Sequence, residues 1–190
     1  MFYVNNMIEI IKKLNIATYD IETTDLNAVY GHLLCACVKP YNKPVKTFRI
    51  DDKRNPTLKS DRWVVEQTIK ELNKYDVLVG WYTTRFDRPF LDTRALIRRI
   101  GLIKPHYSRD LIYFSRFRLK LISNKLKFVH MNLLGKTNKT VITPQIKDDA
   151  IRREKYALDF IVRHCQIDVR ETEDLYNIFL PHLGQKLVRK

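Results

Sequence analysis

The segment Asn15 to Glu22 constrains the fold most. Ile16, Thr18, Asp20 and Glu22 alternate there with Ala17, Tyr19 and Ile21, the period of two that sends one set to each face of a strand. Two further runs of strand character follow, Leu33 to Val38 and Val45 to Ile50, separated by the turn-like Lys39-Pro-Tyr-Asn-Lys-Pro44. The pattern then changes. Ser60 or Asp61 is placed to cap a helix running to about Asn73, and Asp76 to Gly80 reads as a buried strand. Pro89 opens a helix that ends near Ile100 and Gly101. Ser123 caps another ending at Leu134-Gly135, and a long helical stretch runs from Lys155 to Phe179, closed by Pro181. Three strands in hairpin order, then helix and strand in alternation, predict an α/β fold: a mixed central sheet, three antiparallel strands followed by parallel ones, flanked by helices.

A chain of 190 residues can bury one proper core and is short for two ordinary domains, and no linker or shift in composition divides it, so residues 1–190 are read as a single domain. The charge is lopsided. There are 35 Lys and Arg against 21 Asp and Glu, a formal net charge of +14, and a field of that sign points first to nucleic acid and only second to an anionic membrane. Cys35, Cys37 and Cys165 have no metal-finger spacing; they read as small buried hydrophobes of a reducing compartment. The first 22 residues, broken by Asn, Glu and Lys, match neither a secretory leader nor a membrane span. The expectation is a soluble protein of the cytoplasm or another intracellular compartment, with no membrane partner.

Chemistry concentrates in three places. Asp20 and Glu22 leave the same face of one strand, where adjacent carboxylates accumulate negative charge that a hard divalent cation would relieve. A lone pair of acids at a strand end is more often merely solvated, so the motif needs company. Asp87 follows the buried strand through Gly80 and a loop, directly before the helix at Pro89, where it could cap the helix as well as reach a metal. His164 and Asp168, four residues apart on the long helix, share a face one turn apart, although that helix is rich in charge and an ordinary surface pair would look the same.

Together, in this order, these elements resemble the DEDD exonuclease superfamily, the DnaQ-like branch of the ribonuclease H-like fold. Tyr19-Asp-Ile-Glu-Thr-Thr24 is similar to its first motif, Val79-Gly-Trp-Tyr-Thr-Thr-Arg-Phe-Asp-Arg-Pro-Phe90 to its second, and His164-Cys-Gln-Ile-Asp-Val169 to its third. The likeness spans about residues 15 to 180 and is nearest to the proofreading domains of family B DNA polymerases and related stand-alone exonucleases; Ser108-Arg-Asp-Leu-Ile-Tyr113 and the stretch from Ser123 to Lys136 also resemble segments between their motifs. It implies two Mg²⁺ or Mn²⁺ ions on Asp20, Glu22, Asp87 and Asp168. It also implies a 3′–5′ exonuclease that hydrolyses single-stranded or frayed 3′ ends to nucleoside 5′-monophosphates by a two-metal mechanism, with His164 orienting or deprotonating water near its ordinary pKa. Two departures stand out. Tyr82 occupies a position where the second motif usually has Asn, and His164 replaces the Tyr that the polymerase-like group carries at this spacing from Asp168.

From Thr93 to Lys147 Asp110 is the sole acid among thirteen cations, interleaved with Tyr107, Tyr113, Phe114, Phe117 and Phe128. Cations follow phosphates and aromatic faces stack on unpaired bases, the pattern of a single-strand channel, although a basic face over an apolar core would show the same composition. The candidates for substrate binding are Thr23, Tyr82, Arg85, Phe86, Arg116 and Arg118. DNA is favoured over RNA as the nucleic-acid substrate, with any replication or repair partner acting in trans. A ribonuclease, a resolvase-like endonuclease on the same fold, and a nucleic-acid-binding module whose nuclease site has decayed are the alternatives. Keeping all four carboxylates speaks against decay.

Overall fold

The protein is described from a computed structural model that covers residues 14–183; the leader-or-span question for the first 13 residues lies outside them. The first strand, β1 (Ile16–Thr23), pairs antiparallel with β2 (Leu33–Pro40), which pairs antiparallel with β3 (Lys46–Arg49). On its other side β1 pairs in parallel with β4 (Val77–Gly80), and β4 with β5 (Tyr107–Asp110), giving the order β3-β2-β1-β4-β5. The expected mixed sheet is present. β1 is central because it is apolar on both sides until Asp20, and Ile16, Ala17, Tyr19 and Ile21 are all buried.

Among the described residues six α-helices accompany the sheet: α1 (Arg62–Leu72), α2 (Asp87–Ile97), α3 (Leu111–Arg118), α4 (Leu126–Leu134), α5 (Pro144–Ile151) and α6 (Lys155–Phe179). The long helix α6 lies across β1 and β2. Leu158, Ile161, Cys165, Val169, Thr172 and Tyr176, spaced three and four apart, form its buried stripe. Cys165 meets Cys35 and Cys37, whose spacing of two keeps both on one face. All three are free and buried, and the Cys165 thiol donates to the Asp20 carbonyl at 3.3 Å.

Several local expectations change. α2 begins at Asp87, two residues before Pro89, and ends at Ile97 with Arg99 in the left-handed region (φ 55°), so Gly101 is not its stop. Asp61 sits at the start of α1 without capping it. Its buried carboxylate is taken instead by the backbone N–H of Leu33 and the guanidinium groups of Arg94 and Arg98. α4 starts from Lys125, whose N–H donates to Ser123 Oγ at 3.3 Å. The elements β5, α3 and α5 had no clear periodicity in the sequence and were not anticipated. Among the described residues no helix is long and apolar enough to cross a membrane.

Candidate active site

The carboxylates converge because the sheet and α6 run past one another where β1 ends. Asp87 is fixed first: its Oδ1 accepts the Ile21 N–H at 3.0 Å, tying the first turn of α2 to the strand between Asp20 and Glu22. This bond across the fold replaces the capping role expected for Asp87. Asp168 comes from α6, with His164 one turn before it. The imidazole Nε2 lies 3.8 Å from Asp168 Oδ2 and 3.9 Å from Glu22 Oε1, so His164 sits between the acid of the helix and that of the strand. Its Nδ1 is 2.7 Å from the Thr140 hydroxyl. If that hydroxyl donates into Nδ1, the ring proton sits on Nε2 and faces the acids.

A cation already stands among these acids. The Lys139 ammonium pairs with Asp168 Oδ2, from a strap between α4 and α5 that Glu171 pins by accepting from the Thr137 hydroxyl (2.8 Å) and the Asn138 N–H (2.7 Å). His130, buried under the strap, holds the Lys136 carbonyl through Nδ1 at 2.7 Å.

Burial and mutual repulsion govern the charges. Burial first, then Asp168, Asp87 and Glu22, push the Asp20 carboxyl well above the usual carboxylate range. Burial and Asp168 raise Glu22 to about 8. Burial raises Asp87 to about 7, although the bond from Ile21 pulls the other way. Asp168 is raised by burial and held back by Lys139. Burial alone would lower the Lys139 ammonium, but Asp168, Asp20 and Glu22 together outweigh it. Burial, with Lys139 nearby, drops His164 to about 4. The sequence reading placed that imidazole near its ordinary value; at neutral pH it is uncharged.

Among the described residues no three His, Cys, Asp or Glu side chains form a ready-made metal cage. Asp168 is turned onto Lys139 and Asp87 onto β1. Yet Asp20 Oδ2 and Asp168 Oδ1 are buried with no hydrogen-bond partner, and a buried carboxylate oxygen left unpaired is costly. The donors are all hard oxygens, the set that Mg²⁺ and Mn²⁺ prefer. The residues therefore fit divalent cations.

Asp20, Asp87, His164, Asp168 and Lys139 line a cleft of about 870 Å³, together with Trp81, Tyr82, Phe86 and Arg116. The stretch Ile122 to Lys127 also lines it, anchored where Trp81 Nε1 donates to the Asn124 carbonyl at 3.1 Å. The Arg116 guanidinium lies 5.3 Å over the Tyr82 ring. Tyr82 and Arg116 are thus brought together at the site. Phe86 lines the cleft too, and the other candidates do not. Arg85 turns to the Tyr113 hydroxyl at 3.3 Å, Arg118 lines a neighbouring hollow of about 420 Å³, and Thr23 donates to the Asp25 carbonyl at 2.8 Å. Arg94, counted in the basic span, is fully buried on Asp61 and cannot contact substrate.

Asp110 is the second surprise. Its carboxylate accepts the N–H of Tyr82 at 2.7 Å and both the N–H and hydroxyl of Thr84 at 3.0 and 2.6 Å, shaping the loop that delivers Asp87. Its sequence signals were that it is the lone acid in the basic span and that it lies in Ser108–Tyr113, which resembles a segment between the family's motifs. Lys139 and Glu171 had none: each was one charge among many.

A sequence profile of the RNase H superfamily matches residues 17–180. Among solved structures, the family B DNA polymerase from the hyperthermophilic archaeon Pyrobaculum calidifontis matches 88% of this chain with a TM-score of 0.72 at 19% identity. The match takes in 25% of that polymerase's length. No curated protein sequence matches significantly.

Proposed function

The chain belongs to the RNase H superfamily, and from that premise we propose that it is a divalent-metal-dependent 3′–5′ exonuclease acting on single-stranded or frayed DNA ends. One observation carries the reading. Carboxylates from β1, α2 and α6 meet in one cleft, and two of their oxygens are buried without partners. Asp92 and Glu171 also leave one buried oxygen unpaired; what sets this cluster apart is that its acids repel one another within one cleft, a charge that divalent cations would relieve. The likeness to a DNA polymerase supports DNA over RNA.

Ions held on Asp20, Glu22, Asp87 and Asp168 would supply water activation and stabilise the leaving 3′ oxygen. The chain's own groups do the rest. Tyr82, with Arg116 on its face, offers a stacking surface for a base beside the acids. His164 is uncharged at neutral pH, and with its proton on Nε2 it would offer a hydrogen bond into the site, orienting water or a phosphate oxygen rather than storing a proton. Lys139 lines the same cleft and brings the positive charge that an incoming phosphate meets. The product is a nucleoside 5′-monophosphate.

The test is cleavage of end-labelled single- and double-stranded DNA and RNA in Mg²⁺, Mn²⁺ or EDTA. Stepwise shortening from the 3′ end is expected with metal and none with EDTA, and Asp20→Ala and Asp168→Ala should each abolish it. Degradation that persists in EDTA, or in both variants, rules the assignment out. Internal cuts would favour the resolvase-like endonuclease instead.

A further inference from the structure

A second cationic group stands away from the carboxylates. His32, at the end of the loop between β1 and β2, lies between two guanidinium groups from different elements. Arg98 at the end of α2 places Nη2 3.4 Å from His32 Nε2, and Arg153 in the turn before α6 places Nη2 3.3 Å from Nδ1. A neutral imidazole has one acceptor nitrogen, so in either tautomer one of the two arginines faces an N–H. Nor can Asp61 make up the deficit. Its four lone-pair directions are already taken, by the Leu33 N–H, by Arg94 Nε and Nη2, and by Arg98 Nε. Arg153 has no carboxylate within ion-pair reach among the described residues; its remaining bonds are long ones, 3.3 Å to the Leu58 carbonyl and 3.4 Å to that of Ala150. Its backbone sits in the left-handed region at φ 72°, an unfavourable place for a non-glycine residue. With Arg94 and Arg98 saturating Asp61 and Arg153 left beside His32, donors and positive charge are in excess, and His32, Arg98 and Arg153 are each partly exposed. Burial and the surrounding arginines also lower the His32 pKa, in keeping with an uncharged ring.

We propose that His32, Arg98 and Arg153 form a phosphate subsite for the backbone of a nucleic-acid strand whose end lies at the carboxylates. The proposal rests on the nuclease reading for its substrate, but the donor excess stands by itself. The position suits it. Leu26, on the loop that ends at His32, lines the catalytic cleft, and His32 exchanges backbone and hydroxyl bonds with Thr24, two residues past Glu22. Eleven residues of chain, mostly α6, separate Arg153 from His164, roughly 16 Å at 1.5 Å per residue. At about 3.4 Å per stacked nucleotide this is some five nucleotides, so a short oligonucleotide bound at the acids would not reach it.

The substitution Arg153→Gln tests this, because Arg153 holds no buried ion pair and its loss should leave the fold intact. Binding of fluorescent single-stranded oligonucleotides of three and twelve nucleotides is followed by anisotropy in EDTA across a range of KCl. For the twelve-mer, affinity should fall by about 3–10-fold and the log–log salt slope should shrink by about 0.7, the value of one phosphate on a single strand; the three-mer should be unaffected. Equal slopes for variant and wild type with the twelve-mer would overturn the subsite, as would equal losses for both lengths. Inorganic phosphate is the probe for a free-anion pocket: if it protects wild type but not the variant against heat while the slopes coincide, the backbone assignment fails. Cleavage of the three-mer by both proteins in Mg²⁺, run in parallel, keeps the outcomes apart. Its absence counts against the nuclease reading and leaves the slope comparison to decide the subsite.

Discussion

Tyr82 shows how one residue's backbone and side chain can be read separately. Its φ of 69° is the left-handed conformation that a bulky side chain resists and Asn tolerates, and the resembling exonucleases usually have Asn here. The conformation is imposed by Asp110, which takes the Tyr82 N–H. Tyr82→Asn should therefore relieve strain of about 1 kcal/mol while losing an exposed cation–π contact worth about 0.5–1 kcal/mol. The melting temperature should stay within about 2 °C of wild type. Binding of single-stranded DNA should weaken by roughly 5–20-fold, the size of one lost stacking contact. A fall in melting temperature of more than about 4 °C with binding unchanged would make Tyr82 a packing residue. The sequence marked this position as a departure but could not say why it tolerates one, since φ is set by a carboxylate 28 residues away.

At the scale of elements, the legible parts were those with strong periodicity. β1, α6 and the mixed character of the sheet could be read because alternation and the three-four spacing repeat over eight residues or more. The short pieces β5 and α3 could not, since Tyr-Ser-Arg-Asp has no apolar face and is held in place by pairing with β4. The loop from β4 to α2 was legible as a motif, not as a mechanism. Its mechanism is tight packing at Gly80, where an added Cβ would lie 2.0 Å from Thr83 Cγ2. Thr83 is buried, and its carbonyl accepts the Arg88 N–H in the first turn of α2. Gly80→Ala should destabilise the protein by about 1–3 kcal/mol and depress cleavage by displacing Asp87. Adding Thr83→Ala should recover part of both losses, because it removes the two nearest clashing atoms and leaves only Cβ, at 2.9 Å. Thermal melts and rates of the two single variants and the double variant give the coupling directly. If the second substitution adds its own penalty with no recovery, Gly80 matters for some reason other than this contact.

For the whole molecule, two sets of carboxylates pull stability in opposite directions as pH changes. That Asp20, Glu22, Asp87 and Asp168 belong together was read from motif order; their opposition to the rest of the fold was not, because burial is a property of the assembled sheet and α6. Glu71, although burial opposes it, accepts from Lys46, Lys74 and Tyr75 and is held down to about 2. Its folded pKa lies below the unfolded one, so its contribution is complete above about pH 4.5 and is lost as pH falls towards 2. Asp20, Glu22 and Asp87 are the reverse. Their folded values, about 8 for Glu22 and about 7 for Asp87, lie above the unfolded ones. Their contribution is greatest below about pH 4 and is lost as pH rises through 7 to 8, when repelling charges form in a buried cleft. In EDTA the melting temperature should thus be higher at pH 5.5 than at pH 8.5, and Asp20→Asn should flatten that decline by removing the carboxylate whose Oδ2 has no partner. Mg²⁺ or Mn²⁺ should restore the wild-type melting temperature at pH 8.5, since a ligand that binds only the folded state stabilises it by mass action, and should do far less for Asp20→Asn. Melts across pH with and without metal check all of this. A melting temperature that stays level or rises between pH 5.5 and 8.5 in EDTA would mean that Lys139 already neutralises the site, and that the cleft has no unmet demand for a cation.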